Sequence, residues 1–272
     1  MHKRGYFIKM KFQTLFLAIG FIFSSQATSL ALRQYTLPEK ILDKSLLELP
    51  AIQEKDIIII YDAFTINYND KKLIPNWVAY ELTSDEAFGK VPRAKGFSMD
   101  LDYDGRQAMR EDYSNSGWDK GHMAPAADMK WSETAMKESF YLTNICPQNH
   151  DLNAKDWQTL EKMVRDWAIK YGKIWVVCGP FIGGNIYGTI GEQRVAVPDV
   201  FFKAVLRKED DRWYSIAFVF ENDSHKQPVK DAVVSVNDVE ALIGYDLFTN
   251  LDNRIEETVE AQSNWDDWND WN

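Results

Sequence analysis

A set of β-type runs in the second half of the chain constrains its fold most strongly. Residues 200–206 and 213–220 are rich in aromatic and β-branched side chains, and the acidic pair 210–211 lies between them. Two such runs joined by a short polar turn predict an antiparallel hairpin. Further strands are predicted at residues 174–178 and 194–197, so this half of the chain is expected to supply much of a sheet.

The first half of the chain is predicted to contribute further strands to the sheet. Residues 57–61, Ile-Ile-Ile-Ile-Tyr, form a strong strand signal, and residues 67–70 form a turn cluster. Residues 77–82 are interpreted as the returning strand, which makes the two runs a meander. From residue 89 to 117 no periodicity is visible, and a long irregular segment in a compact domain is more often functional than idle.

One segment has a clear helical pattern. Within residues 153–171, large apolar side chains recur at steps of three and four and give one apolar face. These side chains are Trp157, Leu160, Val164, Trp167 and Tyr171. Gly172 follows and supplies the stop. A second helix is predicted at residues 236–243, with Ser235 or Asn237 as its N-cap.

The N-terminus has the order of a secretory signal peptide. Residues 1–11 carry four cations and no acid, an apolar run occupies residues 12–23, and small polar residues follow. This run is too short to span a bilayer comfortably, so the pattern predicts a signal peptide at residues 1–27, with cleavage after Ala27 or Ala31. A retained N-terminal anchor is the alternative. The predicted protein is secreted or periplasmic, with no stable membrane association after cleavage.

The remaining boundaries follow from composition. Residues 28–56 are interpreted as a polar lead-in, and the main domain follows it. Residues 252–272 are acidic and rich in Trp, which predicts a disordered tail; a tail that binds a partner is the alternative. Cys146 and Cys178 both lie in apolar surroundings, which favours two buried free thiols over a disulfide, although spacing alone does not decide this.

The charge balance of the chain bears on its partners. The formal net charge is −10, which is unusual for a non-specific nucleic-acid binder. Local charge matters more than net charge, and six cations lie before or within the segment around His122. They either form a basic cleft or are scattered over the surface. They are Lys90, Arg93, Lys95, Arg106, Arg110 and Lys120.

Three polar residues could carry chemistry. His122 follows a glycine in a run that looks too irregular for a helix or a strand, and it either fills a gap or acts as a general base. Asn153 lies at the predicted helix start, where it is either a cap or a ligand. Glu161 projects within roughly 80° of it. Oxygen donors of this kind suit Mg²⁺, whereas the Cys and His residues lack the spacing of zinc ligands.

These residues resemble a known family. The stretch 118–129, WDKGHMAPAADM, and the stretch 142–153, LTNICPQNHDLN, with Trp157 and Glu161 after them, are similar to the DNA/RNA non-specific endonuclease family of the ββα-metal superfamily, which includes endonuclease G. The resemblance extends over about residues 57–251. It implies an α+β fold, with a mainly antiparallel central sheet flanked by helices and a ββα-metal finger as the active site.

The resemblance also implies a role for individual residues. His122 matches the general base, Asn153 the single direct protein ligand of Mg²⁺, and Glu161 the acid that holds the water shell of the metal. Asn144 matches a supporting residue near the metal. The signature's first acid is matched by Asp119, and an arginine that contacts the scissile phosphate is matched less securely by Arg93.

One position departs from the family pattern. Lys120 stands where the family usually has Arg, so the positive charge is kept but the planar, bidentate fork is lost. Slower turnover or an altered substrate preference is expected from this change, and inactivity is not.

The implied activity is hydrolysis of phosphodiester bonds in DNA and RNA, leaving 5′-phosphate ends. Mg²⁺ is the expected cofactor, with Mn²⁺ as a substitute, and an inhibitor protein is a possible partner. Because a neutral imidazole is required, activity should fall below about pH 6.5. Two alternatives are an inactive nucleic-acid- or inhibitor-binding protein of the same fold and a Trp-rich carbohydrate or protein binder.

Overall fold

The fold is built around one large antiparallel sheet. The computed structural model describes residues 6–9 and 43–269 of the chain; apart from residues 6–9, the predicted signal peptide and the first part of the lead-in lie outside the described residues. In spatial order, the strands of the sheet are β1 (Tyr6–Lys9), β2 (Ile57–Ile60), β3 (Thr65–Asn69), β4 (Ile74–Thr83), β7 (Lys173–Phe181), β10 (Val200–Glu209), β11 (Arg212–Glu221) and β12 (Val233–Val234). All neighbours pair antiparallel.

Helices cover the sheet, and two small hairpins lie beside it. The hairpins pair β5 (Asp119–His122) with β6 (Ile145–Gln148) and β8 (Thr189–Ile190) with β9 (Val195–Ala196). The helices are α1 (Ser84–Ala87), α2 (Glu133–Ser139), α3 (Trp157–Tyr171), α4 (Val236–Ile243), α5 (Asn253–Glu260) and α6 (Asp266–Asn269). Short 3₁₀ turns lie at Arg110–Tyr113, Leu142–Asn144 and Val229–Ala232.

Both faces of the sheet are buried, which explains the nearly continuous apolar runs in the sequence. Because successive side chains of a strand point to opposite faces, Ile57 and Ile59 join one core while Ile58 and Ile60 join the other. The first core contains the apolar face of α3, and the second contains side chains of α4 and α5. The result is an α+β domain with helices on both sides of the sheet, as predicted.

The hairpin of β10 and β11 and the helices α3 and α4 form where the sequence predicted them, and Ser235 caps α4 by accepting from the backbone N–H of Asp238. The predicted meander is wrong in one detail. Residues 67–69, interpreted as part of a turn, belong to β3, which lies between β2 and β4. Asn67 is fully buried on this strand, where its side chain accepts a hydrogen bond from Asn76 and donates one to Tyr245.

The C-terminal segment is folded, so the prediction of a disordered tail is wrong for residues 253–269. Helices α5 and α6 form there, and Trp268 is fully buried with its ring centroid 4.8 Å from that of Trp167 on α3. The Arg207 guanidinium lies 5.0 Å from the Trp268 ring centroid and donates to the carbonyl of Asp267. Alternating Trp and acidic residues look like low complexity, but here Trp265 and Trp268 pack against the domain.

Two other expectations concern cysteines and membrane contact. Cys146 and Cys178 are both buried and free, as the sequence favoured. Within residues 6–9 and 43–269, no helix is both long and apolar enough to cross a membrane.

Candidate active site

A two-stranded finger carries His122. Strand β5 pairs with β6 so that Asp119 faces Gln148 and His122 faces Ile145. Gly121 is required at this crossing, since a Cβ there would lie 2.7 Å from Cβ of Gln148. The interpretation of this stretch as irregular is therefore wrong: His122 ends a short strand, and its partner strand comes from more than twenty residues away.

The chain passes from β6 directly into the helix that bears Asn153. Asn149 starts this helix, because its side chain accepts from the backbone N–H of Asp151 at 2.9 Å and its carbonyl accepts from the N–H of Asn153 at 2.9 Å. Residues Leu152–Asp156 form a π-helical turn that continues into α3. Asn149 is thus the N-cap, and the side chain of Asn153 is not used to cap the helix. π-turns are frequent at functional sites.

Asp119 orients the amide of Asn153. One carboxylate oxygen of Asp119 accepts from Nδ2 of Asn153 at 3.0 Å, and Nδ1 of His150 lies 2.9 Å from the same oxygen. With its nitrogen held in this way, the Asn153 amide turns its oxygen away from Asp119. Among the described residues, no donor is hydrogen-bonded to that oxygen, which leaves it available to a cation.

His122 lies in an apolar enclosure with one polar atom unpaired. Its ring centroid is 5.2 Å from that of Phe97 and 4.8 Å from that of Phe140. Its Nε2 is buried and has no hydrogen-bond partner within the described part of the chain. Burial, followed by the charge of Arg93, lowers the pKa of His122 to about 3. The imidazole is therefore neutral near pH 7, which is the state a general base needs.

Glu161 and Arg165 lie one helical turn apart on α3. Nη1 of Arg165 donates to the buried carboxylate of Asp128 at 2.8 Å, and the hydroxyl of Tyr80 donates to the second oxygen of Asp128 at 2.9 Å. Burial raises the pKa of Glu161 to about 7; Lys203 opposes this shift, and Asp128 adds to it. Glu161 is thus a half-buried acid, and a nearby cation would stabilise its charged form.

These side chains line one cleft of about 640 Å³. Its walls are Arg93, Asp119, Lys120, His122, Pro125, Ala126, Ala127, His150, Asn153, Ala154, Gln158, Thr159, Glu161, Lys162 and Arg165. Six of the seven residues that the sequence singled out are among them. The all-oxygen donors Asn153 and Glu161 fit a hard divalent cation, and no zinc-type ligand set accompanies them.

Asn144 is the residue that the structure does not bring to the cleft. It is fully buried, and its side chain accepts from the N–H of Ala124 at 2.9 Å while donating to the carbonyls of Ala124 and Ser139. All the hydrogen-bonding capacity described for its amide is used by the loop that follows His122. Asn144 fixes that loop and does not contact a metal at Asn153.

The cations of the cleft only partly match the predicted set. Arg93 lies over the ring of Phe140, 5.0 Å from its centroid, and Lys120 lies 5.1 Å from the ring centroid of Tyr113. The other four predicted cations do not line the cleft. Lys162 and Arg165 of α3 take their place, and the four-residue step from Glu161 to Arg165 is the sequence signal that could have identified the latter.

The fold and the cleft define a class: a ββα-metal finger mounted on an antiparallel sheet, with a neutral imidazole in the same cleft as the helix that carries Asn153 and Glu161. Comparison with known sequences agrees. The sequence model of the family "DNA/RNA non-specific endonuclease" matches residues 50–254, and the chain belongs to this family.

The relatives are nucleases. Nuclease EXOG, mitochondrial, of Danio rerio is 36% identical over 70% of this chain and 60% of its own length, and the Homo sapiens protein is 34% identical over 71% and 57%. Nuclease C1 of Cunninghamella echinulata is 31% identical over 70% and 82%. A solved EndoG/EndoGI complex, described as showing the mechanism of EndoG inhibition, contains a chain that aligns with a TM-score of 0.72 and 25% identity, over 81% of this chain and 96% of that one.

Two facts follow from these relatives. The chain spans about 60% of the length of the EXOG proteins that it matches. The prediction of a secreted or periplasmic protein is contradicted, because the EXOG and endonuclease G relatives are mitochondrial nucleases. An N-terminal run of cations followed by apolar residues did not distinguish between these destinations.

Proposed function

We propose that the protein is a Mg²⁺-dependent endonuclease that hydrolyses phosphodiester bonds of DNA and RNA, with Mn²⁺ able to replace Mg²⁺. The observation that carries this proposal is the pairing, within one cleft, of a neutral His122 and an Asn153 whose amide oxygen is free of protein donors. The family and its nuclease relatives support the same activity.

In the proposed reaction the neutral imidazole of His122 accepts a proton from the attacking water. Asn153 would hold the cation through its amide oxygen, with Asp119 keeping that amide in place, and Glu161 would hold a water of the cation. When bound, the cation would supply Lewis-acid stabilisation of charge on the phosphate and on the leaving oxygen. Arg93, Lys120 and Arg165 attract and orient the phosphate.

The position of Lys120 supports a change in rate or preference. Its ammonium contacts the rings of Phe97 and Tyr113, and burial, followed by the charge of Arg110, lowers its pKa. Lysine offers a point charge where a guanidinium would offer two parallel hydrogen bonds to a phosphate. Slower turnover than in an Arg-bearing relative is therefore part of the proposal.

An inhibitor protein is also proposed as a partner, on the basis of the similarity to the chain in the EndoG/EndoGI structure. A catalytically inactive binder of the same fold is the competing function. It gives no chemical reason for a buried neutral imidazole opposite a free amide oxygen, and for this reason the enzyme is preferred.

The test is degradation of supercoiled plasmid and of RNA by the full chain, with Mg²⁺ and with EDTA. His122→Ala should lose at least about 100-fold in rate, because a positioned general base contributes that much or more. The matched control is His225→Ala, at an exposed residue outside the cleft, which should keep full activity. Undiminished cleavage by His122→Ala, or no cleavage by the unaltered chain, would overturn the proposal.

A further inference from the structure

A second group of acids lies on the face of the sheet opposite α3 and the cleft. Glu240 of α4, Asp246 in the loop after it and Glu260 at the end of α5 each place an oxygen atom within 4.8 Å of the other two. Helices α4 and α5 both pack into the second core, through Val239 and Val259 among others. The three carboxylates therefore meet where the C-terminal helix joins the domain.

The group contains buried oxygens without partners. Glu260 is only 4% exposed, and its Oε1 has no hydrogen-bond donor in the described chain. Oε1 of Glu256, one turn earlier on α5, is also buried and has no hydrogen-bond donor among the described residues. One backbone donor serves the group: the N–H of Leu247 donates to Glu240 at 2.7 Å. A buried carboxylate left in this state is costly unless a cation or a proton compensates it.

Within the described part of the chain, no Lys or Arg forms an ion pair with this group. Across residues 43–269, the ion pairs involve other acids, and none joins Lys or Arg to Glu240, Asp246, Glu256 or Glu260. Burial, followed by the charges of Glu240 and Glu256, raises the pKa of Glu260 to about 9. Burial also raises the pKa of Glu240 to about 7, and Asp246 adds to that shift. Among the described residues, no positive charge offsets these acids.

We propose that Glu240, Asp246 and Glu260 bind a Ca²⁺ ion that fastens α5 to α4. Three oxygens within 4.8 Å of one another lie at most about 2.8 Å from a common centre, and Ca²⁺ takes carboxylate oxygens in flexible geometry at about 2.3–2.6 Å, so shifts of a few tenths of an ångström let all three contact one ion. Mg²⁺ fits less well, because it demands a near-ideal octahedron at about 2.0–2.1 Å and keeps most of its waters. Glu256 adds negative charge beside the site.

The ion would act on the segment that ends the described chain. The match to the family stops at residue 254, whereas α5 runs on to Glu260. Protein contacts already hold this helix, since the hydroxyl of Ser215 on β11 donates to the carbonyl of Val259 at 2.7 Å. A cation that binds only the folded arrangement adds to this attachment and raises the thermal stability of the whole chain.

The experiment is calorimetric titration of the full chain with CaCl₂, together with thermal unfolding in CaCl₂ and in EDTA. It is carried out on the Asn153→Ala background, so that the catalytic cleft contributes no metal binding. One site is expected, with a rise in Tm of about 5 °C at a hundredfold excess of Ca²⁺ over its Kd. Because the readout is binding and unfolding, a failed nuclease proposal would leave this result unaffected.

Three substitutions decide the assignment. Glu260→Gln should abolish the calcium-dependent rise in Tm, and Asp246→Asn, at an exposed position that does not endanger folding, should weaken Ca²⁺ binding at least tenfold. Glu257→Gln is the matched control, an exposed acid of α5 outside the group, and should bind Ca²⁺ like the unaltered chain. Absence of Ca²⁺ binding, or equal binding by Asp246→Asn, would overturn the proposal.

Discussion

At the scale of single residues, His122 differs most from what its sequence neighbourhood indicates. An imidazole in a polar, glycine-containing run is expected to titrate near pH 6.5. The side chain is instead enclosed by Phe97 and Phe140, and burial with the nearby Arg93 lowers its pKa to about 3. The residue type was predictable from the sequence. Its ionisation was not, because Phe97 and Phe140 come from distant parts of the chain.

The pH dependence of the enzyme should reflect this burial. We expect kcat/KM at saturating Mg²⁺ to show no protonation of His122 between pH 7 and pH 5, since His122 of the free enzyme stays neutral until far below pH 6.5. A step in that range belongs to Glu161, because burial raises the pKa of Glu161 to about 7. The depressed pKa also means that the unfolded chain takes up the proton first, so stability is lost as the pH falls below 6.5 towards 3.

The measurement is a kcat/KM profile from pH 4.5 to 8, with circular dichroism at each pH to confirm that the chain remains folded. A protonation step near pH 6.5 in folded protein that persists in Glu161→Gln would contradict the expected profile, and it would return His122 to an ordinary solvent-exposed imidazole.

At the scale of elements, the sequence predicted helices and hairpins better than it predicted long-range strand pairing and helix starts. The apolar face of α3, the hairpin of β10 and β11 and the cap of α4 are local patterns, and they form as expected. Strands β5 and β6 lie more than twenty residues apart in the chain, and the polar Asn67 is buried on β3 between two neighbouring strands, so local turn chemistry was misleading at both places. The helix of Asn153 starts four residues earlier than its own pattern indicates, through Asn149 and a π-turn.

Asp119 links two elements, because it lies on β5 and accepts a hydrogen bond from the side chain of Asn153, which precedes α3. We expect Asp119→Ala to raise the Mg²⁺ concentration needed for half-maximal activity by about 10- to 100-fold, the usual effect of removing a group that orients a metal ligand. The measurement is plasmid cleavage as a function of Mg²⁺ concentration.

The control is Asp151→Ala, at an exposed acid that pairs with Lys155 and does not contact Asn153 in the described contacts. An unchanged Mg²⁺ requirement in Asp119→Ala would show that Asn153 needs no support from β5.

At the scale of the whole molecule, four of the ten tryptophans are buried between layers of the fold and are not available to a ligand. Trp77, Trp157, Trp167 and Trp268 are all at most 1% exposed. Their burial removes the main argument for a Trp-rich carbohydrate binder. It also explains why the C-terminal segment was misjudged: composition describes a peptide in water, whereas Trp268 has Trp167 and Arg207 to pack against.

Truncating this contact should weaken the entire domain. We expect Trp268→Ala to lower the free energy of unfolding by about 3–5 kcal/mol, the cost of a large cavity at a buried aromatic side chain. Urea unfolding followed by tryptophan fluorescence and by circular dichroism measures the change.

Trp131→Ala is the matched control, since Trp131 is 37% exposed and its loss should change stability by about 0.5 kcal/mol or less. Equal stability of Trp268→Ala and the unaltered chain would mean that the C-terminal segment adds nothing to the fold.

The cleft described above has a consequence for how such proteins can diversify. Apart from Arg93, every residue that lines it falls between positions 119 and 165, in one uninterrupted stretch of the chain. The site is thus almost entirely one continuous segment, a cassette that packs against the sheet through the apolar face of α3. Exchange of that cassette between relatives with a matching helix face would carry catalytic character from one scaffold to another, and the sheet itself would need little redesign.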